Sequence, residues 1–542
     1  MKEYLFTVFK EAEKLIPELS EIPISFDVPK SAEHGDLSSN AAMLLTKKLK
    51  KNPGVIAQQL IDALKLDDKI IENVEIAGPG FINFFFTPLA TAEIVKDILA
   101  QGDNYGKSKK FAGKKANVEF VSANPTGPLT VGHGRNAVIG DTVANLLEWI
   151  GFQVDREYYF NNAGRQMRVL GDSVRLRYLE LLGEKIDFPS DYYQGHYIKD
   201  IAQSLFQEYG DKIKVDEAEG IFKQRAESEI FKDIKKSLNN LGVHHNIYFN
   251  ENSLYTDGKI DELLNNFKEK NLSYEKDSAV WLKLSQLGQS EDKVIVKNTG
   301  EPTYRLPDIA YHAVKMDRGY DLLVDLFGSD HNATYPDVMA GIQAIGYDAS
   351  KVKVLIHQFV TIMEGGEVVK MSTRKANFIT LDELTEEVGK DVVRYFFNMR
   401  NINTHMNFDL DLARIHSDEN PVFYLQYANA RISSIMIQVK KENLEPSTNN
   451  LGLLTNEHEQ NLLKVLHSFK DKVLTCAENF EPHLICNYLE ELAAAFHRFY
   501  RFVRILGSGR EYAEARLALA VATKIVIKNG LSILGVSAPE RM

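Results

Sequence analysis

The chain has 542 residues, of which 44% are hydrophobic and 26% are charged, and this composition excludes collagen-like, disulfide-rich and wholly disordered proteins. Its 64 basic and 75 acidic side chains give a formal net charge of −11, so any nucleic-acid contact needs a local basic patch rather than overall attraction. Only two cysteines are present, the first residues lack the pattern of a signal peptide, and no apolar run approaches the ~18 residues of a membrane span. The sequence therefore predicts a cytoplasmic protein with no membrane association.

The N-terminal part, residues 1–110, is predicted to be a small α+β domain. Helical periodicity runs through residues 40–49 and 55–64, and alternating apolar residues at 74–76 and 81–86 predict two strands around a glycine-proline turn. A polar, lysine-rich stretch follows and is typical of a linker.

Residues 111–408 are predicted to form a Rossmann-like α/β domain. A buried strand at 117–122, an amphipathic helix that stops at Gly151 and a second strand at 153–160 predict a parallel sheet with right-handed crossovers. Apolar runs at 322–327 and 352–356 predict further central strands. Between these two halves lies a helical, polar insertion at about 170–280.

The remaining residues, 409–542, show helical periodicity to the end of the chain. Apolar residues recur at helical spacing in four or five segments joined by polar loops. This pattern predicts an all-helical bundle as the C-terminal domain.

The loop between the first strand and helix of the α/β domain is the strongest candidate for a phosphate site. Two prolines and three glycines let its backbone turn tightly, and the following helix offers free N–H groups to an anion. The candidate nucleotide-binding residues are Asn124, Pro125, Thr126, Gly127, Gly132, His133 and Gly134. A dinucleotide fingerprint also fits residues 132–137 formally, but about ten residues separate it from the strand that it should follow directly. The competing interpretation of His133 is a plain helix cap.

A basic segment at 368–377 is the second candidate. Lys370, Arg374 and Lys375 lie within six residues and flank Met371 and Ser372, a combination suited to gripping a polyphosphate. Taken alone, such a cluster is more typical of a solvated surface.

The two segments together resemble the paired signatures of class I aminoacyl-tRNA synthetases. The glycine-histidine loop at 130–133 precedes the lysine-methionine-serine segment at 370–372, as in that family. More specifically, the chain resembles the bacterial arginyl-tRNA synthetases in segments spread over nearly its whole length, namely 34–40, 78–83, 118–135, 159–164, 280–282, 303–312, 328–331, 370–374, 422–431 and 538–542.

The resemblance implies ATP-dependent activation of L-arginine to arginyl-adenylate. Transfer to the 3′-terminal ribose of tRNA(Arg) would follow, with release of AMP and pyrophosphate and with Mg²⁺ accompanying ATP. It implies that His133 steadies the α-phosphate and that Lys370, helped by Ser372, steadies the leaving pyrophosphate. Thr130 stands where the family has the first signature histidine.

The second signature also departs from the family pattern. Thr373 replaces its second lysine, which leaves Arg374 or Lys375 as the second cation.

For arginine itself, the resemblance implies a pocket with two carboxylates. Glu119 and Asp308 would bind the guanidinium, Tyr304 would add a hydroxyl or ring face, and Asn124 would receive the α-amino end. From the residues alone, an ordinary ion pair with a neighbouring basic residue is the favoured interpretation of Glu119.

The resemblance further implies that the N-terminal domain, residues 1–110, contacts the outer corner of the tRNA and that the C-terminal helices read the anticodon. A monomer is expected. Tyr427 and Arg431 lie four apart on one helical face and are the candidate tRNA-binding residues, although Tyr427 could instead belong to the core. No metal-ligand cluster is visible. Two rival hypotheses are a synthetase for another amino acid and a tRNA-binding protein that has lost catalysis, the latter because of Thr130 and Thr373.

Overall fold

The fold is taken from a computed structural model that describes residues 1–29, 31–369 and 379–542. Its N-terminal part is a three-stranded antiparallel sheet in the order β1-β3-β2 with helices packed on it. Most of β3 is buried, and a cluster of edge-to-face phenylalanines, including Phe9, Phe26 and Phe84, fills the core. The elements are α1 Lys2–Ala12, β1 Leu37–Ser39, α2 Ala41–Leu49, α3 Pro53–Ala63, β2 Ile71–Ala77, β3 Phe81–Phe86, α4 Pro88–Ala92 and α5 Ile94–Gln101.

The middle of the chain begins a parallel sheet and then leaves it for three helices. Its elements up to residue 250 are β4 Lys115–Glu119, α6 Val131–Trp149, β5 Gln153–Phe160, α7 Gly164–Leu181, α8 His196–Tyr209, α9 Lys223–Asn240 and β6 Ile247–Asn250. Strand β6 lies inside the stretch interpreted from sequence as an insertion, yet it pairs in parallel with β5. The main sheet therefore interrupts that stretch.

A small antiparallel sheet, in the order β7-β8-β9, follows before the main sheet resumes. The elements from 252 to 344 are α10 Asn252–Thr256, α11 Lys259–Glu269, β7 Ser273–Lys276, β8 Ala279–Leu282, β9 Lys293–Val296, α12 Arg305–Asp317, β10 Leu322–Gly328 and α13 Tyr335–Ala344. The elements from there to 414 are β11 Val352–His357, β12 Val360–Glu364, β13 Glu367–Val368, α14 Leu381–Val388, α15 Lys390–Asn398, β14 Met406–Asp409 and α16 Leu410–Arg414.

The main sheet has five parallel strands in the order β11-β10-β4-β5-β6. Helix α6, which is buried on most of its surface, packs against β4, β5 and β10. The prediction of a Rossmann-like parallel-sheet domain is confirmed. In such a sheet, ligands bind at the carboxyl ends of the strands.

The chain ends in the predicted helical bundle, with α17 Pro421–Lys440, α18 Glu457–His467, α19 Phe469–Asn479, α20 His483–Phe502 and α21 Arg510–Leu534. Cys476 and Cys486 are buried in this bundle as free thiols. Helix α21 is the one helix of the described residues that is long and apolar enough to cross a membrane, and 72% of its most apolar window is buried in the protein. This burial is what a core helix of the bundle requires.

Buried polar bonds join the bundle to the α/β domain. Arg394 on α15 donates from Nε to the Leu534 carbonyl at 2.7 Å and from its terminal nitrogen to Asp141 at 2.5 Å. Asn145 on α6 donates to the Ile533 carbonyl at 3.0 Å. The C-terminal end of α21 is thus fixed to α6, which begins at the candidate phosphate loop.

Candidate active site

The loop after β4 is held in a strained backbone conformation. Val121 and Ser122 have φ angles of 69° and 44°, in the left-handed region that is unfavourable for a β-branched residue such as valine. Asn136 on α6 enforces this turn: its Oδ1 accepts from the Val121 N–H at 2.6 Å, and its Nδ2 donates to the Leu326 carbonyl at 3.0 Å. Strain of this kind persists where the surroundings impose it and clusters at ligand sites. Sequence reasoning had no signal for it.

Thr130 and His133 cap the N-terminus of α6 together. The His133 N–H donates to Thr130 Oγ1 at 3.4 Å, and His133 Nδ1 accepts from the Thr130 N–H at 3.2 Å. Because Nδ1 is an acceptor, the neutral ring carries its proton on Nε2. Burial lowers the pKa of His133 to about 4, so the ring is neutral at physiological pH. The helix-cap interpretation of His133 therefore holds, and Nε2 remains available as a hydrogen-bond donor.

The three glycines of the loop differ in how much space surrounds their Cα atoms. A Cβ on Gly127 would stand 2.8 Å from the Tyr197 hydroxyl, and one on Gly134 would stand 2.5 Å from the Leu381 side chain. At Gly132 the nearest atom to such a Cβ is Thr130 Oγ1 at 3.7 Å. A ligand can therefore approach the backbone at Gly132, whereas the other two glycines serve packing.

Asn124 and its neighbours connect this loop to the end of β5. Asn124 Oδ1 accepts from the Asn161 N–H at 3.0 Å, and its Nδ2 donates to Gln166 at 3.1 Å. The carbonyl of Thr126 accepts from the Tyr197 hydroxyl at 2.8 Å, next to the buried Pro125. The loop is thereby fixed to β5 and to α8 of the predicted insertion.

A cavity of about 550 Å³ opens at the carboxyl ends of β4, β5 and β10. The four residues predicted to bind arginine, Glu119, Asn124, Tyr304 and Asp308, all line it. Glu251, which directly follows β6, and Tyr159 of β5 line it as well. His133 is not among its lining residues.

Glu119 is already paired inside this cavity. Only 3% of its surface is exposed, its Oε2 accepts from Lys315 Nζ at 2.8 Å, and its Oε1 accepts from Ser122 Oγ at 3.0 Å. The ion pair considered as the plain interpretation is therefore present, on a residue that also borders the cavity.

Asp308 and Glu251 are different, because the nearby cations are paired with other carboxylates. Arg305 binds Asp337 at 2.7 Å, and Lys315 binds Glu119 at 2.8 Å. Among the described residues, this leaves both cavity carboxylates without a lysine or arginine partner.

The electrostatics of the two carboxylates follow from this arrangement. Burial raises the pKa of Asp308 to about 7, the nearby Glu251 and Glu119 carboxylates raise it further, and His312 opposes them. Burial also raises the pKa of Glu251, against a hydrogen bond from the Tyr159 hydroxyl at 2.5 Å. The cavity is therefore short of positive charge, and a cationic ligand would restore ionised carboxylates. Sequence reasoning missed Glu251, since nothing indicated that β6 would bring it to this edge of the sheet.

Tyr304 lies at the start of α12 with 82% of its surface exposed, while also lining the cavity. Asp308 follows one turn later on the same helix, and its N–H donates to the Tyr304 carbonyl at 3.2 Å. The exposed ring therefore stands at the mouth of the cavity, one helical turn from a buried carboxylate.

The second signature, with Lys370, Met371, Ser372 and Arg374, lies outside the described residues. The chain just after it is described: Leu381 N–H donates to the Leu129 carbonyl at 2.9 Å, and Thr380 forms an antiparallel bridge with Thr130.

On the bundle, Tyr427 is 44% exposed, which excludes the core interpretation. The Arg431 guanidinium lies 5.5 Å from the centre of its ring and 4.7 Å from that of Tyr500. The His497 ring stacks on Tyr427 with centroids 6.0 Å apart. The exposed Tyr427 ring thus lies beside half-buried cationic and aromatic groups of α17 and α20.

Residues 1–29, 31–369 and 379–542 contain no group of three or more histidine, cysteine or acidic side chains placed to hold a metal ion. His245 is buried against Phe120, with ring centroids 4.2 Å apart, and burial lowers its pKa to about 4.

Three sequence families match the chain in succession. The family described as "Arginyl tRNA synthetase N terminal domain" matches residues 4–86, "tRNA synthetases class I (R), catalytic domain" matches 94–409, and "DALR anticodon binding domain" matches 425–542.

Whole-chain relatives agree with this order. A protein of Salinibacter ruber named arginine–tRNA ligase is 47% identical over 565 aligned residues that cover 100% of both chains. A second arginine–tRNA ligase, from Desulfotalea psychrophila, is 49% identical over 95% of this chain and 94% of its own. The solved Thermus thermophilus arginyl-tRNA synthetase superposes over 100% of both chains with a TM-score of 0.78 at 20% identity, which shows a shared fold.

Proposed function

The chain belongs to the arginyl-tRNA synthetase family, and we propose that it activates arginine in the cavity at the carboxyl ends of β4, β5 and β10. Its activity is the ATP-dependent ligation of L-arginine to tRNA(Arg). The observation that carries the choice of cavity is its charge: Asp308 and Glu251 line it and have no lysine or arginine partner among the described residues.

A guanidinium fits this charge. It is planar, permanently protonated and able to bind two carboxylates through separate N–H pairs, which the single ammonium of lysine cannot do. We assign Asp308 and Glu251 to the guanidinium and place Glu119 behind them, since both of its oxygens already accept hydrogen bonds. The exposed Tyr304 ring would cover the side chain at the mouth of the cavity.

We place the α-carboxylate of the arginine substrate, which reacts with ATP, at the other end of the cavity, near the phosphate loop. Asn124 would receive the α-amino group through the second lone pair of Oδ1, since the first binds the Asn161 N–H. Activation is an in-line attack of the arginine carboxylate on the α-phosphate, so the protein has to position two anions and stabilise growing charge. The backbone at Gly132 and the Nε2–H of His133 are the donors that we assign to the α-phosphate.

The leaving pyrophosphate is assigned to Lys370, Met371, Ser372 and Arg374 of the second signature. The support is indirect: the chain returns from this segment to the phosphate loop at Thr380, which is bridged to Thr130. Mg²⁺ would arrive with ATP, held chiefly by phosphate oxygens and water, as is usual for this ion, and it would neutralise charge on the phosphates.

We further propose that the chain works as a cytoplasmic monomer of three domains, 1–110, 111–408 and 409–542, the last of which reads the anticodon. The exposed Tyr427 ring, with the half-buried Arg431 guanidinium beside it, supports this role, because single-stranded bases stack on aromatic and guanidinium planes.

The deciding experiment is pyrophosphate exchange with tRNA(Arg) present, comparing arginine with lysine, citrulline and the remaining amino acids. Arginine alone should support exchange, because citrulline keeps the shape of arginine without its charge. Exchange with another amino acid would favour a different specificity. If no amino acid supports exchange while tRNA still binds, the result would favour the hypothesis of a tRNA-binding protein that has lost catalysis.

A further inference from the structure

A row of three carboxylates crosses the sheet next to the arginine cavity. Glu119 on β4 is the direct register partner of Asp325 on β10 on one side and of Glu157 on β5 on the other. Register partners on neighbouring strands place their side chains on the same face, a few ångströms apart. All three are buried, so their mutual repulsion has to be balanced by cations.

Those cations are spaced three residues apart on helix α12 and on the residue that directly follows it. His312 and Lys315 bind Asp325, Lys315 also binds Glu119, and Arg318 binds Glu157 at 2.7 Å. Three positive groups thus face three negative ones, and this buried layer needs no ligand to be neutral. Asp308 and Glu251, for which the described part of the chain offers no lysine or arginine partner, belong to the cavity rather than to this row.

Asp325 is the member of the row that connects to two of the cavity carboxylates, Glu119 and Asp308. Its Oδ1 accepts from Lys315 Nζ, which donates at 2.8 Å to Glu119. Its Oδ2 accepts from His312 Nε2 at 2.9 Å, while His312 Nδ1 lies 2.7 Å from the carbonyl oxygen of Asp308. Because both ring nitrogens face acceptors, each has to donate, and His312 is an imidazolium.

We infer that Asp325 is a positioning residue for arginine recognition: through Lys315 it fixes Glu119, and through His312 it fixes the turn of α12 that carries Asp308. Asp325 has no exposed surface and is not among the residues lining the cavity, so it acts through these two cations and does not touch arginine. This inference rests on the proposed role of the cavity.

The alternative is that the Asp325 network only stabilises the core. A buried ion pair is in general weak evidence for stability, and a core role would affect every substrate alike once folding is impaired. The two cases are separated by comparing the Michaelis constants for arginine and for ATP.

The test is the Asp325→Asn variant of the full chain, assayed by pyrophosphate exchange with tRNA(Arg) at a temperature well below its unfolding transition. We expect the KM for arginine to rise roughly tenfold or more, the KM for ATP to stay within about twofold, and kcat to change less than the KM for arginine. Glu157→Gln is the matched control, since it removes a buried carboxylate of the same row that is bonded to Arg318 and Asn117 instead. It should leave the KM for arginine near that of the wild type.

If Asp325→Asn does not fold, His312→Gln removes one of the two connections while keeping a donor, and it should also raise the KM for arginine selectively. An unchanged KM for arginine in a folded variant, a parallel rise for ATP, or an equal effect in Glu157→Gln would each overturn the inference. Failure of the proposed function is distinguishable, because the wild-type chain would then show no arginine-dependent exchange.

Discussion

Thr130 and Thr380 face each other across an antiparallel bridge, and each also caps a helix, α6 and α14 respectively. The two residues border the two signature segments, since Thr130 begins the first and Thr380 follows the second. The end of the phosphate loop, where α6 begins, and the chain that follows the basic segment are therefore fixed to each other, although the two segments are far apart in sequence.

From this connection we expect Lys370→Ala to lower kcat for pyrophosphate exchange by roughly 10²–10³-fold, the range observed when one preorganised transition-state donor is removed. The thermal unfolding temperature should change little. Wild-type kcat in the variant would contradict the assignment of Lys370 to the leaving pyrophosphate.

Pyrophosphate exchange also identifies the residue that takes the place of the second signature lysine. Arg374→Ala and Lys375→Ala are matched single-charge removals one residue apart. The residue that contacts phosphate should show the larger loss of kcat, and its neighbour should behave like the wild type.

A second prediction concerns the charges of the arginine cavity. Asp308→Asn and Glu251→Gln should each raise the KM for arginine about 10- to 100-fold, since a hydrogen bond to a charged group contributes about 1.5–3 kcal/mol. The KM for ATP should hardly change. Tyr159→Phe is the control for Glu251, because it removes the hydroxyl that donates to this carboxylate and leaves its charge in place. An unchanged KM for arginine would remove the mutated carboxylate from the guanidinium site.

Arginine binding should also depend on pH. The pKa of Asp308 is raised to about 7 in the empty cavity, so this carboxyl group binds a proton as pH falls through 7, and the proton competes with the guanidinium. Binding of arginine should therefore release a proton below pH 7, and the KM for arginine should rise about tenfold from pH 8 to pH 6. Titration calorimetry in buffers of different ionisation enthalpy measures the released proton. Asp308→Asn should abolish this pH dependence, and its persistence would assign the proton to another group.

Much of this architecture could be predicted because local patterns carry it. The boundaries of β5 were predicted at 153–160 and observed at Gln153–Phe160, since a short strand next to a glycine is specified by nearby residues. Glu119, Asn124, Tyr304 and Asp308 line one cavity, as the family resemblance implied. Strand order accounts for Glu119 and Asn124, which end and follow β4, because ligands bind at the carboxyl ends of parallel strands.

What the sequence could not predict depends on long-range partners. Lys315 reaches Glu119 across 196 positions of the chain, and Glu251 enters the cavity because β6 adds to the sheet after three intervening helices. The strain at Val121 is likewise imposed by Asn136, which lies 15 residues later.

His133 provides a prediction in which the absence of a pH effect is the expected result. Its ring is neutral at physiological pH, because burial lowers the pKa to about 4, and its proposed role is to donate a hydrogen bond through Nε2–H. Exchange activity should therefore show no decline near pH 6.5 due to this group. His133→Ala should lower kcat about 10²-fold or more, whereas His133→Gln, which retains a donor, should lose less. If kcat of the wild type falls near pH 6.5 and this fall is absent in His133→Gln, the prediction of a neutral His133 ring is contradicted.

The exposed Tyr427 ring leads to a prediction about tRNA. Tyr427→Ala should raise the KM for tRNA(Arg) about 5- to 100-fold, since stacking on an aromatic side chain contributes about 1–3 kcal/mol per base, and it should leave ATP binding unchanged. Tyr512→Ala is a matched control, because Tyr512 is also partly exposed and also lies under an arginine, Arg516, at 5.1 Å. Tyr512 lies near the start of α21, and this start is next to the C-terminal end of α17, because Arg510 donates to the carbonyl of Asn443 just after α17. Tyr427 lies near the opposite, N-terminal end of α17. Equal losses in both variants would indicate a general effect on the bundle, whereas a selective loss at Tyr427 would assign α17 to the tRNA surface.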